Sequence, residues 1–259
     1  MNNVNKTLYI PLYGKAYVSR LGLFLQDSKA EEIWAKEGFP LKGKAKSKWL
    51  AYNMGMRSAV FDRWLEDQME QYPDALILHL GCGMDSRVTR LGTRGRQWFD
   101  VDFPQVITQR QRYYTETAEY HMLSGDIREQ NWLDAVPRDA QAIVVMEGIS
   151  MYLQPAELKM VLRTLAAHFH QVHLLMDCYT SFAARASKVK NPINDVGVTQ
   201  VYGLDDPREL EDSLEFVQEH SMTPADLIRQ LRPMEQAVFQ TLYAGAAAKK
   251  LYRMYEFRN

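Results

Sequence analysis

Five short, nearly continuous apolar runs punctuate the chain: 75–80 (A-L-I-L-H-L), 97–101 (Q-W-F-D-V), 120–123, 142–146 (A-I-V-V-M) and 172–176 (V-H-L-L-M). Runs without polar alternation are what strands covered on both faces require. The segments between them carry a helical period instead. The clearest is 155–169, where Pro155 suits a first turn and Leu158, Val161, Leu162, Leu165, Ala166 and Phe169 form one stripe. Pro104 opens a second helix through Tyr114, and 49–69 reads as an amphipathic helix feeding the first strand. This alternation predicts an α/β fold of Rossmann-like class, a mostly parallel central sheet with helices on both faces. A helical extension over about 1–72 precedes it.

The rhythm breaks after Cys178. The stretch 182–203, with Lys188, Lys190, Pro192 and Asn194, has no period, so a lid-like insertion is expected over about 180–205. Helices are predicted again at 207–217 and after Thr223, whose Pro224 and Asp226 suit a capped start. Alternation over 251–257 predicts an edge strand.

At 259 residues the chain is expected to be one domain. Its 46% hydrophobic and 24% charged residues belong to a globular protein, not a disordered one. Lys and Arg number 31 against 32 Asp and Glu, so no global field draws a polyanion or an anionic membrane. The local exception is Lys42, Lys44, Lys46 and Lys48 beside Trp49, which could meet phosphates and a base but reads as a solvated loop. Cys82 and Cys178 lack partners at metal-ligand spacing, so both are expected to be reduced, buried thiols and no metal is expected. A polar start and the lack of a membrane-length apolar run point to a cytoplasmic location. The oligomeric state is left open.

Ligands of open parallel sheets bind beyond the carboxyl ends of the strands, and four of these ends are chemically loaded. After the first strand come Gly81 and Gly83, small enough for close backbone approach, with the next helix start expected to offer N–H donors. After the second come Asp100 and Asp102, either of which could accept both hydroxyls of a ribose. The third carries Asp126 and Ile127, suited to an adenine amino group and ring face. The fourth carries Glu147, an acid set directly after an apolar run and in need of a partner. The third glycine of a dinucleotide fingerprint is absent, which counts against a nicotinamide oxidoreductase.

At these residues the sequence resembles a known family. Residues 53–57 (N-M-G-M-R), 79–87 (H-L-G-C-G-M-D-S-R), 98–104 (W-F-D-V-D-F-P), 125–128 (G-D-I-R) and 146–153 (M-E-G-I-S-M-Y-L) are similar to the leucine carboxyl methyltransferase family. The nearer likeness is to its bacterial polyketide O-methyltransferase branch of tetracenomycin type. The resemblance implies S-adenosylmethionine as cofactor and a small-molecule acceptor. It also implies Lys15 and Arg57 near the methionine carboxylate, Gly81 and Gly83 in the cofactor loop, and Asp102 on the ribose. Asp126 and Ile127 would meet the adenine, Glu147 would be the acid after the fourth strand, and Arg128 and Tyr152 would face the acceptor. His79 departs from the Asn or acid more usual at its position.

A carboxylate acceptor needs no base, and an Arg fork from Arg128 or Arg20 would suit it. A phenol, a protein C-terminal carboxylate and modified RNA stay open as acceptors. A phenol would want a general base from among six histidines, none of which stands out.

Overall fold

In the computed structural model, which describes residues 7–41, 43–190 and 200–259, three helices precede the sheet. They are α1 (Tyr9–Arg20), α2 (Ser28–Glu37) and the long α3 (Lys48–Gln71). The apolar runs then become β1 (Leu76–Leu80), β2 (Trp98–Asp102), β3 (Tyr120–Ser124), β4 (Gln141–Met146) and β5 (Gln171–Tyr179), interleaved with α4 (Arg87–Leu91), α5 (Pro104–Arg110) and α6 (Pro155–His168). These five strands pair in parallel. After α7 (Ser181–Lys190) come β6 (Glu215–His220), α8 (Ala225–Ile228), α9 (Pro233–Leu242), α10 (Gly245–Lys249) and β7 (Tyr252–Arg258). The seven-stranded sheet runs β3-β2-β1-β4-β5-β7-β6, with β7 antiparallel to both neighbours.

Strand alternation builds two cores. Ile77, Trp98, Ile143 and Val145 meet Leu12, Ile33, Phe61 and Leu65 of the first three helices on one face. Leu78, Phe99, Val144 and Leu174 meet Leu158, Val161, Leu162 and Leu165 of α6 on the other. Every residue of β1 is buried, as a central parallel strand demands. The chain reverses direction across the sheet between β1 and β4, which opens a crevice at their carboxyl ends.

Two expectations from the sequence are corrected, and a third falls partly outside the described residues. The helix over 207–217 is a 3-10 turn, Pro207–Leu210, followed by β6, because Phe216 joins the α6-side core once its strand pairs with β7. The run 251–257 forms β7 inside the sheet, and β6 takes the edge. The proposed lid begins as α7, with Ala183 and Ala184 buried, while Pro192 and Asn194 lie outside the described residues. Both cysteines are buried. Among the described residues, no helix is long and apolar enough to cross a membrane.

The crossing of α1 and α3 sets how deeply the N-terminal helices sit over the crevice. A Cβ on Gly14 would stand 2.6 Å from Met54 Cβ, and one on Gly55 would stand 2.6 Å from Val18 Cγ2. Gly14→Ala gains up to about 1 kcal/mol of helix propensity against an overpacking cost of about 1–3 kcal/mol. The expected result is a fall of several degrees in Tm on thermal unfolding; an unchanged Tm would mean that the crossing is not tight.

Candidate active site

A cavity of about 530 Å³ opens at the carboxyl edge of β1, β2, β3 and β4. Lys15, Arg57, Gly81, Gly83, Asp102, Asp126, Ile127, Arg128, Glu147 and Tyr152 all line it. Parallel strands bring Gly81, Asp102, Asp126 and Glu147 to one edge, since each lies at the end of its own strand, while Lys15 and Arg57 reach that edge from α1 and α3.

Gly81 and Gly83 adopt φ of +64° and +52°, a region that favours glycine. A Cβ on Gly81 would stand 2.2 Å from Ile149 Cγ2, so the loop closes against the segment after β4 only with glycine there. Of the backbone donors in this loop, Gly81 and Cys82 N–H donate to Val101 O, and Arg87 N–H at the start of α4 donates to Asp85 Oδ1. Gly83 N–H donates to Asp102 Oδ2 at 2.8 Å, and Phe103 N–H to Asp102 Oδ1 at 2.7 Å. Burial pushes the Asp102 carboxyl up to about 6, against these two bonds and the Arg110 charge.

Asp100 does not share this position. It points the other way and is fully buried with Arg110, the Tyr120 hydroxyl at 2.6 Å and Trp98 Nε1 at 2.9 Å. Burial would raise its carboxyl, but Arg110, His79 and Tyr120 hold it at about 2. Of the two acids, Asp102 is the one that lines the cavity.

Asp126 accepts from Arg128 Nε at 2.9 Å and from Arg128 N at 3.0 Å, and these bonds hold its carboxyl below the ordinary range. The Arg128 guanidinium also meets Glu157 at 3.4 Å, and its side chain is 45% exposed.

Glu147 lies buried between two guanidiniums, with Arg57 Nε at 3.0 Å and Arg87 Nη2 at 2.5 Å. Burial would raise its carboxyl, yet Arg57, Lys15 and Arg87 outweigh it and hold it at about 2. Arg57 continues to Asp177 at 3.0 Å, and Lys15 pairs with Asp85 at 2.9 Å. Arg87 and Arg90 tie Asp62 and Asp85 into the same net.

The family model described as leucine carboxyl methyltransferase matches residues 9–166. The chain belongs to the leucine carboxyl methyltransferase family. It is an S-adenosylmethionine-dependent methyltransferase. It is 30% identical over 243 residues to the tetracenomycin polyketide synthesis O-methyltransferase TcmP of Streptomyces glaucescens, spanning 92% of this chain and 90% of that one. It is 34% identical over 170 residues to the S-adenosyl-L-methionine-dependent methyltransferase dpfgK of Gibberella zeae, spanning 60% of this chain and 57% of that one. Among solved structures, the fold is similar to magnesium protoporphyrin IX methyltransferase of Synechocystis PCC 6803 with bound SAH (TM-score 0.54, 11% identity, 95% and 97% of the two chains). It is also similar to the N-methyltransferase NodS of Bradyrhizobium japonicum with bound S-adenosyl-L-homocysteine (TM-score 0.51, 13% identity, 78% and 87%).

Other candidates fall away from this cavity. Arg20 is not among its lining residues; its side chain is 51% exposed and faces Glu31. Lys48 pairs with Glu235 at 2.7 Å and the Trp49 ring stacks on Tyr243, so that ring face is covered; Lys42 lies outside the described residues. Of the six histidines, His79 alone lines the cavity. Burial holds its imidazole below the ordinary value, and its Nε2 faces Arg87 Nη1 at 3.2 Å. The groups that sequence reasoning did not single out are Arg87, Arg90, Asp62, Asp85 and Asp177. Asp177 carried the same signal as Glu147, an acid directly after an apolar run.

A carboxyl raised from 3.8 to about 6 in the folded chain contributes stability that is complete below the unfolded value and lost as pH climbs through 6. At about 1.4 kcal/mol per pKa unit, the Asp102→Asn variant should gain roughly 2–3 kcal/mol relative to wild type between pH 4 and pH 7. Denaturant unfolding at both pH values measures this; a difference independent of pH would refute the raised value.

Proposed function

We propose that this methyltransferase places the methyl group on a carboxylate oxygen of a small apolar or aromatic acid. The cofactor fits the residues present. Asp102 is a desolvated carboxylate held by two backbone N–H groups and no direct cation, so it still wants donors, and ribose hydroxyls supply them. Asp126 would accept from the adenine amino group, and Ile127 would cover the ring. Arg128, already forked onto Asp126, would orient that acid. Glu147 would accept from the cofactor ammonium, with Lys15 and Arg57 toward its carboxylate. Gly81 and Gly83 would let the backbone approach.

When bound, S-adenosylmethionine supplies a methyl group on a positively charged sulfur, and the sulfur keeps the electron pair of the broken bond. A carboxylate lone pair forms the new O–CH₃ bond, and no proton moves. The observation that carries the carboxylate reading is His79: the one histidine lining the cavity is buried and its Nε2 faces Arg87 Nη1 at 3.2 Å, so that nitrogen is not placed to take a proton from a phenol. The protein's part is then positioning and water exclusion, worth up to roughly 7–11 kcal/mol for well-oriented partners. Leu50, Met54, Met151, Tyr179 and Tyr252 give the rest of the cavity an apolar lining, and about 530 Å³ accommodates a ligand of this class. The relative from tetracenomycin polyketide synthesis supports a small-molecule, polyketide-like acceptor.

Incubation with radiolabelled methyl donor and paired aromatic acids and phenols of one skeleton tests this. The expected product is a methyl ester, formed from the acid alone and released by mild base. Base-stable methyl ether from the phenol would overturn the carboxylate reading.

A further inference from the structure

Asp100, singled out with Asp102 from the sequence, has no part in the proposed function. It is the counter-ion of Arg110, the last residue of α5. Both are fully buried, and neither lines the cavity. A buried ion pair adds little stability by itself, and the other arms of the Arg110 fork show a use for it. Nη1 donates to two carbonyls of the glycine loop, Gly83 O at 3.1 Å and Asp85 O at 2.6 Å.

The fork is itself held on every side. Nη2 meets Asp100, and Nε donates at 3.1 Å to the Tyr120 hydroxyl, which donates in turn to Asp100 Oδ2 at 2.6 Å. The Tyr114 ring covers the guanidinium face, its centroid 4.1 Å from Cζ. Gly83 and Asp85 line the cavity, whereas Arg110 reaches them from behind. The two residues so held serve opposite ends of the proposed cofactor seat. Gly83 N–H meets Asp102, placed toward the ribose, and Asp85 Oδ2 meets Lys15, placed toward the methionine carboxylate.

We infer that Arg110 is a positioning residue for the cofactor: from behind the glycine loop it locks Gly83 and Asp85, so that Asp102 and Lys15 stand at the spacing S-adenosylmethionine requires. The inference rests on the proposed seat of the cofactor at this loop. Glycines make the loop easy to bend, and a segment that must be ordered on binding lowers affinity. A fork anchored on Asp100 removes that freedom beforehand. Lysine in its place would keep the charge opposite Asp100 but lose the planar fork that reaches both carbonyls. Charge balance and loop geometry are therefore separable.

Calorimetric titration with S-adenosylmethionine and S-adenosylhomocysteine, beside thermal unfolding, compares wild type with Arg110→Lys, Tyr120→Phe and Asp102→Ala. In Arg110→Lys the Kd for both ligands should rise about tenfold, the loss of one hydrogen bond to a charged group. The factor should be the same for the two, because they share the ribose and methionine ends that the loop holds. Arg110→Lys is decisive wherever it folds. If it does not fold, Tyr120→Phe decides: it keeps the ring, removes the hydroxyl between Arg110 and Asp100, and should raise both Kd values in the same direction. Wild-type affinity in the deciding variant, whatever its Tm, reduces Arg110 to a buried charge and overturns the inference. A loss confined to S-adenosylmethionine would trace the effect to the sulfonium charge and overturn it as well. If Asp102→Ala has lost affinity for both ligands, the cofactor seat stands and the inference alone has fallen. Wild-type affinity in Asp102→Ala removes the seat and the inference together.

Discussion

The Glu147 carboxylate between the Arg57 and Arg87 guanidiniums is the interaction on which the rest of the site depends. Burying an isolated carboxylate is prohibitive, and burying it between two forks is tolerable only if the helix and loop that carry them are held close. Arg57 comes from the middle of α3 and Arg87 from the start of α4, while Glu147 directly follows β4 and Asp177 lies near the end of β5. One net thus joins the N-terminal helices, the glycine loop and two central strands. The glycine crossing of α1 and α3 keeps that net closed, since Lys15 follows Gly14 directly and reaches Asp85 from the same helix.

Legibility in the sequence followed the range of the forces involved. The parallel strands were readable because burial on both faces leaves an unbroken apolar run, and the candidates Gly81, Asp102, Asp126 and Glu147 were readable because each lies at the end of one, whereas Lys15 and Arg57, on helices, came only from the family resemblance. Asp62 and Arg90 were not, because on a helix a charged residue reads as solvated until its partner is placed beside it. Here Arg90 meets both Asp62 and Asp27, and the three come from separate segments. Tyr179 and Tyr252 face each other only through the β5–β7 register, a non-local pairing with no local signature. The segment 207–217 failed for the same reason: its Pro, Glu and Leu favour a helix locally, and pairing with β7 decides otherwise.

His79 shows how a departure from the family pattern is absorbed. Its imidazole sits in β1 with Nε2 toward Arg87 and Nδ1 3.4 Å from Asp100. A neutral ring can accept from the guanidinium on one side while presenting N–H to the carboxylate on the other. It therefore links the Glu147 net to the Asp100–Arg110 pair without adding charge. A carboxylate there would bring another negative charge into the core.

Charge balance gives the arrangement its direction. Lys15, Arg57, Arg87 and Arg90 face Asp27, Asp62, Asp85, Glu147 and Asp177, leaving the net with one negative charge in excess. S-adenosylmethionine carries a sulfonium, an ammonium and a carboxylate, one positive charge in all, which matches the single excess negative charge of this net, the Asp102 carboxylate standing outside it. Loss of the methyl group removes the sulfonium charge and with it that match. In a desolvated cavity, where charge interactions are weakly screened, the same excess carboxylate that favours the donor favours the spent cofactor less. The buried net would then serve release as well as binding, with no moving part required.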